Sequence, residues 1–380
     1  MQTLADLLNS AEGLTFLESH SVFVEQQQFK DQLRTPAKPN LAGDFDTENT
    51  KLVCSGQQIY VDYQQSVLSK IETLRDMEQD EDLLPFFLWV DTDRSGSDNL
   101  VTKFAWPGPS KKGPITILPP GTREVETRFA TIDSSQLSSA IDRLETFLRQ
   151  SGEKKEGAKH KYLQLRTFFT NGSAGTLSEF NLRLTDFLLT QVYGFTPRSV
   201  LLSDLLDRDY ILDEVSFFVD RVVDVVRVFN EATQSLAEKG IDPQVRPLDE
   251  GYLPLFYSCE ADDTRLRLYH QADGNDHFAV SACKCGQDYR FYLGNGTLSM
   301  AELAETDRWS PDVCFPIFLN DLVSGFVAGK SSAIYLIVLN EVLRQVLDKT
   351  PVPILVPKSL RVNGNESTQI DSLIYRYFAG

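Results

Sequence analysis

The chain has 380 residues, 42% hydrophobic and 24% charged, and its 37 Lys and Arg against 54 Asp and Glu leave a formal net charge of −17. With 24 Phe and 13 Tyr beside long Val, Ile and Leu runs, it carries enough apolar mass for one large core or two smaller ones, which excludes a disordered chain. The acidic balance leaves no basic stripe to displace counterions from a phosphate backbone, so nucleic acid is not an expected partner.

Residues 1–20 contain neither a basic stretch nor an uninterrupted apolar run, so they do not read as a secretory signal. The most apolar long stretch, residues 315–343, is broken by Asn320, Asp321 and Lys330 and falls short of the ~20 residues that a membrane span needs. A cytoplasmic protein without a membrane partner is the expectation. The five cysteines, Cys54, Cys259, Cys283, Cys285 and Cys314, are neither a disulfide framework in a chain of this size nor an even set, and read as free thiols of a reducing compartment.

In chain order, the apolar run from Lys51 to Ser55 ends in Gly56, and residues 62–77 then place Val67, Leu68, Ile71 and Leu74 at helical spacing. This pattern predicts a strand, a tight turn and a helix. Residues 84–90 are apolar on both alternating faces, as a parallel strand covered by helices on both sides must be, and they stop at Asp91-Thr92-Asp93. Residues 107–120, rich in Pro and Gly, predict a surface loop or hairpin, and residues 134–150 an amphipathic helix. Residues 151–159 are charged and glycine-flanked, the composition of a solvated loop. Val215, Phe218, Val219, Val222, Val226 and Phe229 recur every three or four residues and predict one long helix over 213–239. Fast alternation over 253–296, punctuated at Asp273-Gly274, Gly286 and Asn295-Gly296, predicts antiparallel strands joined by tight turns. A buried helix over 331–347 and a proline-bracketed strand over 352–357 follow.

Several of these segments, in this order, resemble the cysteine-adding ligases of bacillithiol biosynthesis (BshC-type). The resemblance is carried by Ser55-Gly56-Gln57-Gln58, by residues 85–93, by Thr176 to Phe180, by residues 236–257 with KGIDPQV and LPLFY, and by residues 309–357 with FLNDL, AGKSSAIY and PILVPKS. It implies an α/β fold with a Rossmann-like core of the nucleotidyltransferase type, a parallel sheet, and inserted helical and antiparallel β elements. The implied layout has residues 1–50 packing on the core, 51–250 as the core with insertions, 251–300 as the antiparallel insertion and 301–380 completing the core. The implied chemistry joins a cysteine carboxyl to the amine of an amino sugar conjugate. Relatives of that family continue into a dimerising coiled coil that the sequence does not show, so a monomer, or a dimer built otherwise, is expected.

The family's Ser-Glu-Asp-His-Asp aligns with Asp91-Thr92-Asp93-Arg94-Ser95, which keeps one acid and replaces the histidine by arginine. Its Gly-Gly-Pro-x-Glu aligns with Ala328-Gly329-Lys330-Ser331-Ser332 and loses the glutamate, Phe315 stands where it has arginine, and Pro357-Lys358-Ser359 ends the match. A lysine there cannot repeat a bidentate guanidinium contact. These changes fit either a different substrate or a homologue that has lost catalysis and serves as a binding or assembly subunit for a protein partner.

Ligands of open α/β sheets sit beyond the strand carboxyl ends, where helix N-termini favour anions. Ser55, Gly56, Gln57 and Gln58 are therefore candidate anion-binding residues, with a plain strand-to-helix turn as the alternative. Asp91 and Asp93, two apart, are expected on one face toward the cleft, where they would orient an amine or hold Mg²⁺ with Arg94 neutralising one of them, or else serve as turn and cap residues. Lys330 would face an anionic substrate or water. The resemblance adds Thr176, Asn320, Asp321, Tyr335 and Lys358 as substrate-binding candidates. Carboxyl activation would need ATP or a preactivated donor; the expected partners are a small anionic substrate and an amino acid.

Gly329-Lys330-Ser331 misses the phosphate-binding loop motif, because Ser324 stands where that motif has glycine. His270, His277, Cys283 and Cys285 form a possible zinc set, but their spacing matches no standard finger or ribbon, so they are read as reduced thiols and ordinary histidines, with no metal assigned. No Gly-x-Ser-x-Gly, His-Glu-x-x-His or Gly-x-Gly-x-x-Gly occurs.

Overall fold

The structure, a computed structural model, describes residues 1–38, 50–96, 99–104, 115–117, 124–150, 156–171, 175–312, 318–362 and 371–379. Its strands in chain order are β1 (Val22–Phe23), β2 (Lys51–Gln58), β3 (Leu83–Val90), β4 (Thr131–Ile132), β5 (Gly175–Thr176) and β6 (Arg198–Leu201). They continue with β7 (Tyr252–Ser258), β8 (Arg265–Asp273), β9 (Asp276–Ala282), β10 (Asp288–Asn295), β11 (Trp309–Pro311), β12 (Gly325–Val327) and β13 (Ile354–Leu355).

Six strands form a parallel sheet in the order β1-β13-β12-β2-β3-β6. Both faces of its central strands are covered, because alternate side chains feed two cores. Leu52, Cys54, Phe86 and Leu88 enter one, together with the helices Val222–Glu238 and Lys330–Gln345. Val53, Phe87 and Trp89 enter the other, with Gln65–Met77, Ser134–Gln150 and Leu177–Tyr193. Full burial on both faces is why β3 reads as a continuous apolar run. Trp89 still satisfies its indole N–H, which donates to Ser199 Oγ at 2.9 Å on neighbouring β6. At Gly325 an added Cβ would lie 2.5 Å from Leu33 Cδ2 and 2.6 Å from Phe29 Cζ, so only glycine lets β12 approach the N-terminal helix Gln26–Asp31.

A second, five-stranded sheet runs antiparallel in the order β10-β9-β8-β7-β11, matching the alternation read over 253–296. The protein is thus a mixed α/β molecule with a Rossmann-like parallel sheet and an antiparallel addition. Among the described residues no helix is long and apolar enough to cross a membrane.

Four sequence expectations need correction. β2 does not end at Ser55 but runs to Gln58, and its helix begins at Gln65 rather than 62. The helix expected over 213–239 is two, Leu212–Asp220 and Val222–Glu238, broken at Arg221, where the backbone turns to φ −111° and ψ 17°. The break is held by a tertiary bond, since Leu298 N donates to Asp220 Oδ1 at 2.8 Å. Residues 156–159, expected in a loop, open the helix Glu156–Asn171, whose Ala158 and Tyr162 are buried while Lys159 and His160 stay exposed; residues 151–155 lie outside the described part. The strand over 352–357 shortens to β13, because Pro353 and Pro357 donate no ladder bond. Of the expected 107–120 loop, only residues 115–117 are described, where Phe104 N donates to Ile115 O and Ile117 N to Thr102 O.

Candidate functional site

β2 passes through the helix Gln65–Met77 to β3 on one side, whereas its neighbour β12 passes through Lys330–Gln345 to β13 on the other. Adjacent parallel strands that leave in opposite directions open a crevice beyond their carboxyl ends. A cleft of about 650 Å³ lies there. Gly56, Gln57 and Gln58 line it from β2, Val90 and Asp93 from the end of β3, and Gly329 to Ser332 with Tyr335 from the helix after β12. The antiparallel sheet contributes Arg265, Pro311 and Asp312, and Gln244 and Val245 come from the KGIDPQV segment.

One end of the cleft is built for negative charge. Gly329 caps the helix Lys330–Gln345, and its N–H donates to Ser332 Oγ at 2.8 Å. The first-turn N–H groups of Lys330, Ser331 and Ser332 have no acceptor within the helix, and the aligned peptide dipoles add partial positive charge. Ser66 and Val67, from the first turn of Gln65–Met77, line the same space, as does exposed Lys330.

Lys70 also lines the cleft, although it is buried. Its Nζ donates to Gly56 O at 2.6 Å and to Gln57 Oε1 at 3.1 Å, and it stands 5.7 Å from the Phe87 ring centroid. Among the described residues no carboxylate acts on its charge. Burial pushes the ammonium down to about 7, opposed only by the nearby Cys54 thiol.

A polar chain crosses from there to the antiparallel sheet. Gln57 Nε2 donates to Gln58 Oε1 at 2.8 Å and to Tyr60 Oη at 3.0 Å. Gln58 Nε2 donates to Asp93 Oδ2 at 2.8 Å, and Arg265 Nη1 to Asp93 Oδ1 at 3.0 Å. Arg265 Nε reaches buried Glu126 at 3.2 Å, which also accepts from Arg128 Nε at 2.7 Å and Ser310 Oγ at 2.6 Å. The Arg265 guanidinium lies 3.5 Å over the Phe256 ring centroid. Asp312, on the same side of the cleft, accepts from Arg267 Nη1 at 2.6 Å.

Gly56, Gln57, Gln58, Asp93, Lys330 and Tyr335 are therefore gathered around one space. Ser55 is fully buried and its hydroxyl donates to Val327 O at 2.8 Å, between strands. Asp91 does not share a face with Asp93: β3 ends at Val90, the two-residue alternation ends with it, and the Asp91 carboxylate turns to Ser203, accepting from N at 3.0 Å and Oγ at 2.6 Å. Burial raises the Asp91 pKa to about 6 against the lowering effect of those two bonds. With Asp91 so engaged, the Asp91/Asp93 pair does not fit the expected Mg²⁺ site. Arg94 pairs with Glu124 at 2.8 Å on the surface.

The remaining candidates serve other contacts. Thr176 caps the helix Leu177–Tyr193, its hydroxyl accepting from Glu179 N at 3.2 Å. Asn320 holds the Thr350 carbonyl and Val352 N, Asp321 pairs with Lys349 at 2.7 Å, and Lys358 pairs with Glu25 at 2.9 Å. Phe315 and Cys314 lie outside the described residues.

The sequence reading missed Lys70, Arg265 and Asp312. Lys70 had a legible signal: it stands three residues after Val67 and four before Leu74, on the apolar stripe of its helix, where a solvated lysine does not belong. Arg265 and Asp312 had none, since only the folding of the antiparallel sheet over the strand ends brings them there. No protein-family model matches the chain, and no curated protein matches it significantly.

Proposed function

We propose that the cleft binds a small anionic substrate together with an amino acid and joins them through a C–N bond, as an amide ligase related to the cysteine-adding type. The observation that carries this reading is Lys70, a buried amine beside the cleft with neutral oxygen partners and a depressed pKa. An amine nucleophile reaches the site as ammonium and must lose a proton before it attacks, and a base titrating near neutrality is suited to take it. In the proposed step the amine nitrogen attacks an activated carboxyl carbon, the C–N bond forms as the bond to the leaving group breaks, and the ammonium proton passes to neutral Lys70. The first turn of Lys330–Gln345, with Lys330, binds the anionic group, while Asp93 and Gln58 orient the amine. The carboxyl must arrive activated, by ATP or as a preactivated donor.

The gathering of Gly56–Gln58, Asp93, Gln244 and Lys330 around one space, from segments far apart in sequence, supports the same reading. The test is incubation of the protein with cysteine or other amino acids, an amino sugar conjugate and ATP/Mg²⁺, with mass spectrometry for an amide product and thermal melts for binding. An amide product formed by the wild type and lost in a folded Lys70→Met variant is expected. Absence of both product and melting shift across the panel would overturn the ligase reading and favour a homologue that binds a protein partner.

A further inference from the structure

Two hairpin turns meet at one end of the antiparallel sheet. The β7–β8 turn carries Cys259 and Asp262, and the β9–β10 turn carries Cys283 and Cys285. One donor atom from each of the four lies within 4.8 Å of all the others. Cys259 Sγ is 3.6 Å from Cys285 Sγ, and Cys283 Sγ is 3.6 Å from both carboxylate oxygens of Asp262. A tetrahedral zinc ion with Zn–S of about 2.3 Å and Zn–O of about 2.0–2.2 Å requires donor–donor edges of roughly 3.5–3.8 Å. Two opposite edges, Cys259–Cys285 and Cys283–Asp262, already have that length, and the other four separations lie within 4.8 Å.

The backbone holds them there. In the second turn Gly286 N donates to Cys283 O at 3.0 Å and Cys283 N to Gln287 O at 2.8 Å, while Gly286 takes φ 94°, a conformation that brings Cys285 back beside Cys283. In the first, Asp263 N donates to Cys259 O at 2.9 Å and Cys259 N to Thr264 O at 2.9 Å, with Asp263 at φ 57°. Arg308 Nη1 donates to Cys259 O at 3.1 Å, and the Tyr289 hydroxyl lies 3.2 Å from Cys259 Sγ, contacts that orient a ligand from outside. His270 and His277, the nitrogen donors that the sequence offered, are not part of this set. They pair with each other at 2.8 Å near the opposite end of β8 and β9.

We infer that Cys259, Asp262, Cys283 and Cys285 form a closed structural zinc site. Three soft thiolates and one carboxylate suit a borderline-soft ion with tetrahedral preference. Four protein donors leave no open position, so the ion would staple the two hairpins rather than catalyse. The first turn runs straight into Arg265, the residue that bonds Asp93 in the cleft, so the staple would also fix the register of a cleft side chain.

The test uses the whole chain purified under reducing conditions, with zinc measured by elemental analysis and cobalt(II) substituted as a spectroscopic probe. One zinc per chain is expected, with the visible d–d bands of tetrahedral cobalt and thiolate-to-cobalt charge transfer on substitution. Both should be lost in the Cys283→Ser/Cys285→Ser double variant, and Asp262→Ala should weaken metal retention against a chelator at least tenfold while keeping the charge-transfer bands. Should the double variant not fold, the wild-type stoichiometry and cobalt spectrum decide alone. Reduced wild type that takes up neither zinc nor tetrahedral cobalt would overturn the inference, as would peptide mapping that finds Cys259 and Cys285 joined in a disulfide after purification with zinc present.

Discussion

Replacing Lys70 by Met, which keeps the length and apolar stem of the side chain but removes the amine, tests the physical basis of the cleft. Lys70 is buried, and its pKa falls from 10.5 in the open chain to about 7 in the fold. The unfolded state therefore binds more protons than the native state between those two values, and stability must rise with pH across that window. Below pH 7 both states carry the charge and the full cost of burying it is present; above about 10.5 both are neutral and the cost is gone. At about 1.4 kcal/mol per tenfold change the ceiling on this cost is roughly 5 kcal/mol. The amine lies beside an open cleft and can relax toward water, so about 2–3 kcal/mol is the expected gain of Lys70→Met over wild type at pH 7. Denaturant unfolding of both proteins at intervals from pH 6 to pH 10 measures it, and the two stabilities should converge toward the alkaline end. A difference that does not change with pH, or a Met variant less stable than wild type at pH 7, would refute the assignment of Lys70 as a strained, proton-shedding amine.

Three further outcomes follow from the geometry. Ser203→Ala removes the hydroxyl bond to the buried Asp91 carboxylate while leaving the bond from the backbone N–H, and should cost about 1–3 kcal/mol at pH 7, with the loss shrinking as pH falls toward the Asp91 value of about 6, because a protonated carboxyl tolerates burial; urea melts at pH 5 and pH 7 check it. Asp93→Asn should keep the fold but lower product formation, since it weakens the contact with Arg265 while Gln58 retains an amide partner; unchanged turnover in a folded variant would remove Asp93 from the site. Gly325→Ala should destabilise by about 1–3 kcal/mol through overpacking against Phe29 and Leu33, read as a lowered melting temperature, and a neutral result would show that the N-terminal helix yields.

What the residues alone determined is the class of the molecule. A run apolar on both faces reads as a central parallel strand, as in β3, and the alternation over 253–296 as an antiparallel sheet, because burial imposes these patterns locally. The strand-end location of Gly56 to Gln58 and of Asp93, and the cap-and-loop character of Gly329-Lys330, followed from the same local rules. Tertiary structure decided the rest. Whether the carboxylates beyond β3 face one space depended on where regular pleating stopped, and it stopped at Val90, one residue before Asp91. Arg265 and Asp312 entered the cleft, and Cys259 and Asp262 met Cys283 and Cys285, because a sheet folded distant turns onto one another, and separation in sequence carries no record of that approach. The environment of Lys70 was decided by the same means: its place on an apolar stripe was visible in the sequence, but only packing beneath Gly56 and against Phe87 takes it out of water and lowers its pKa.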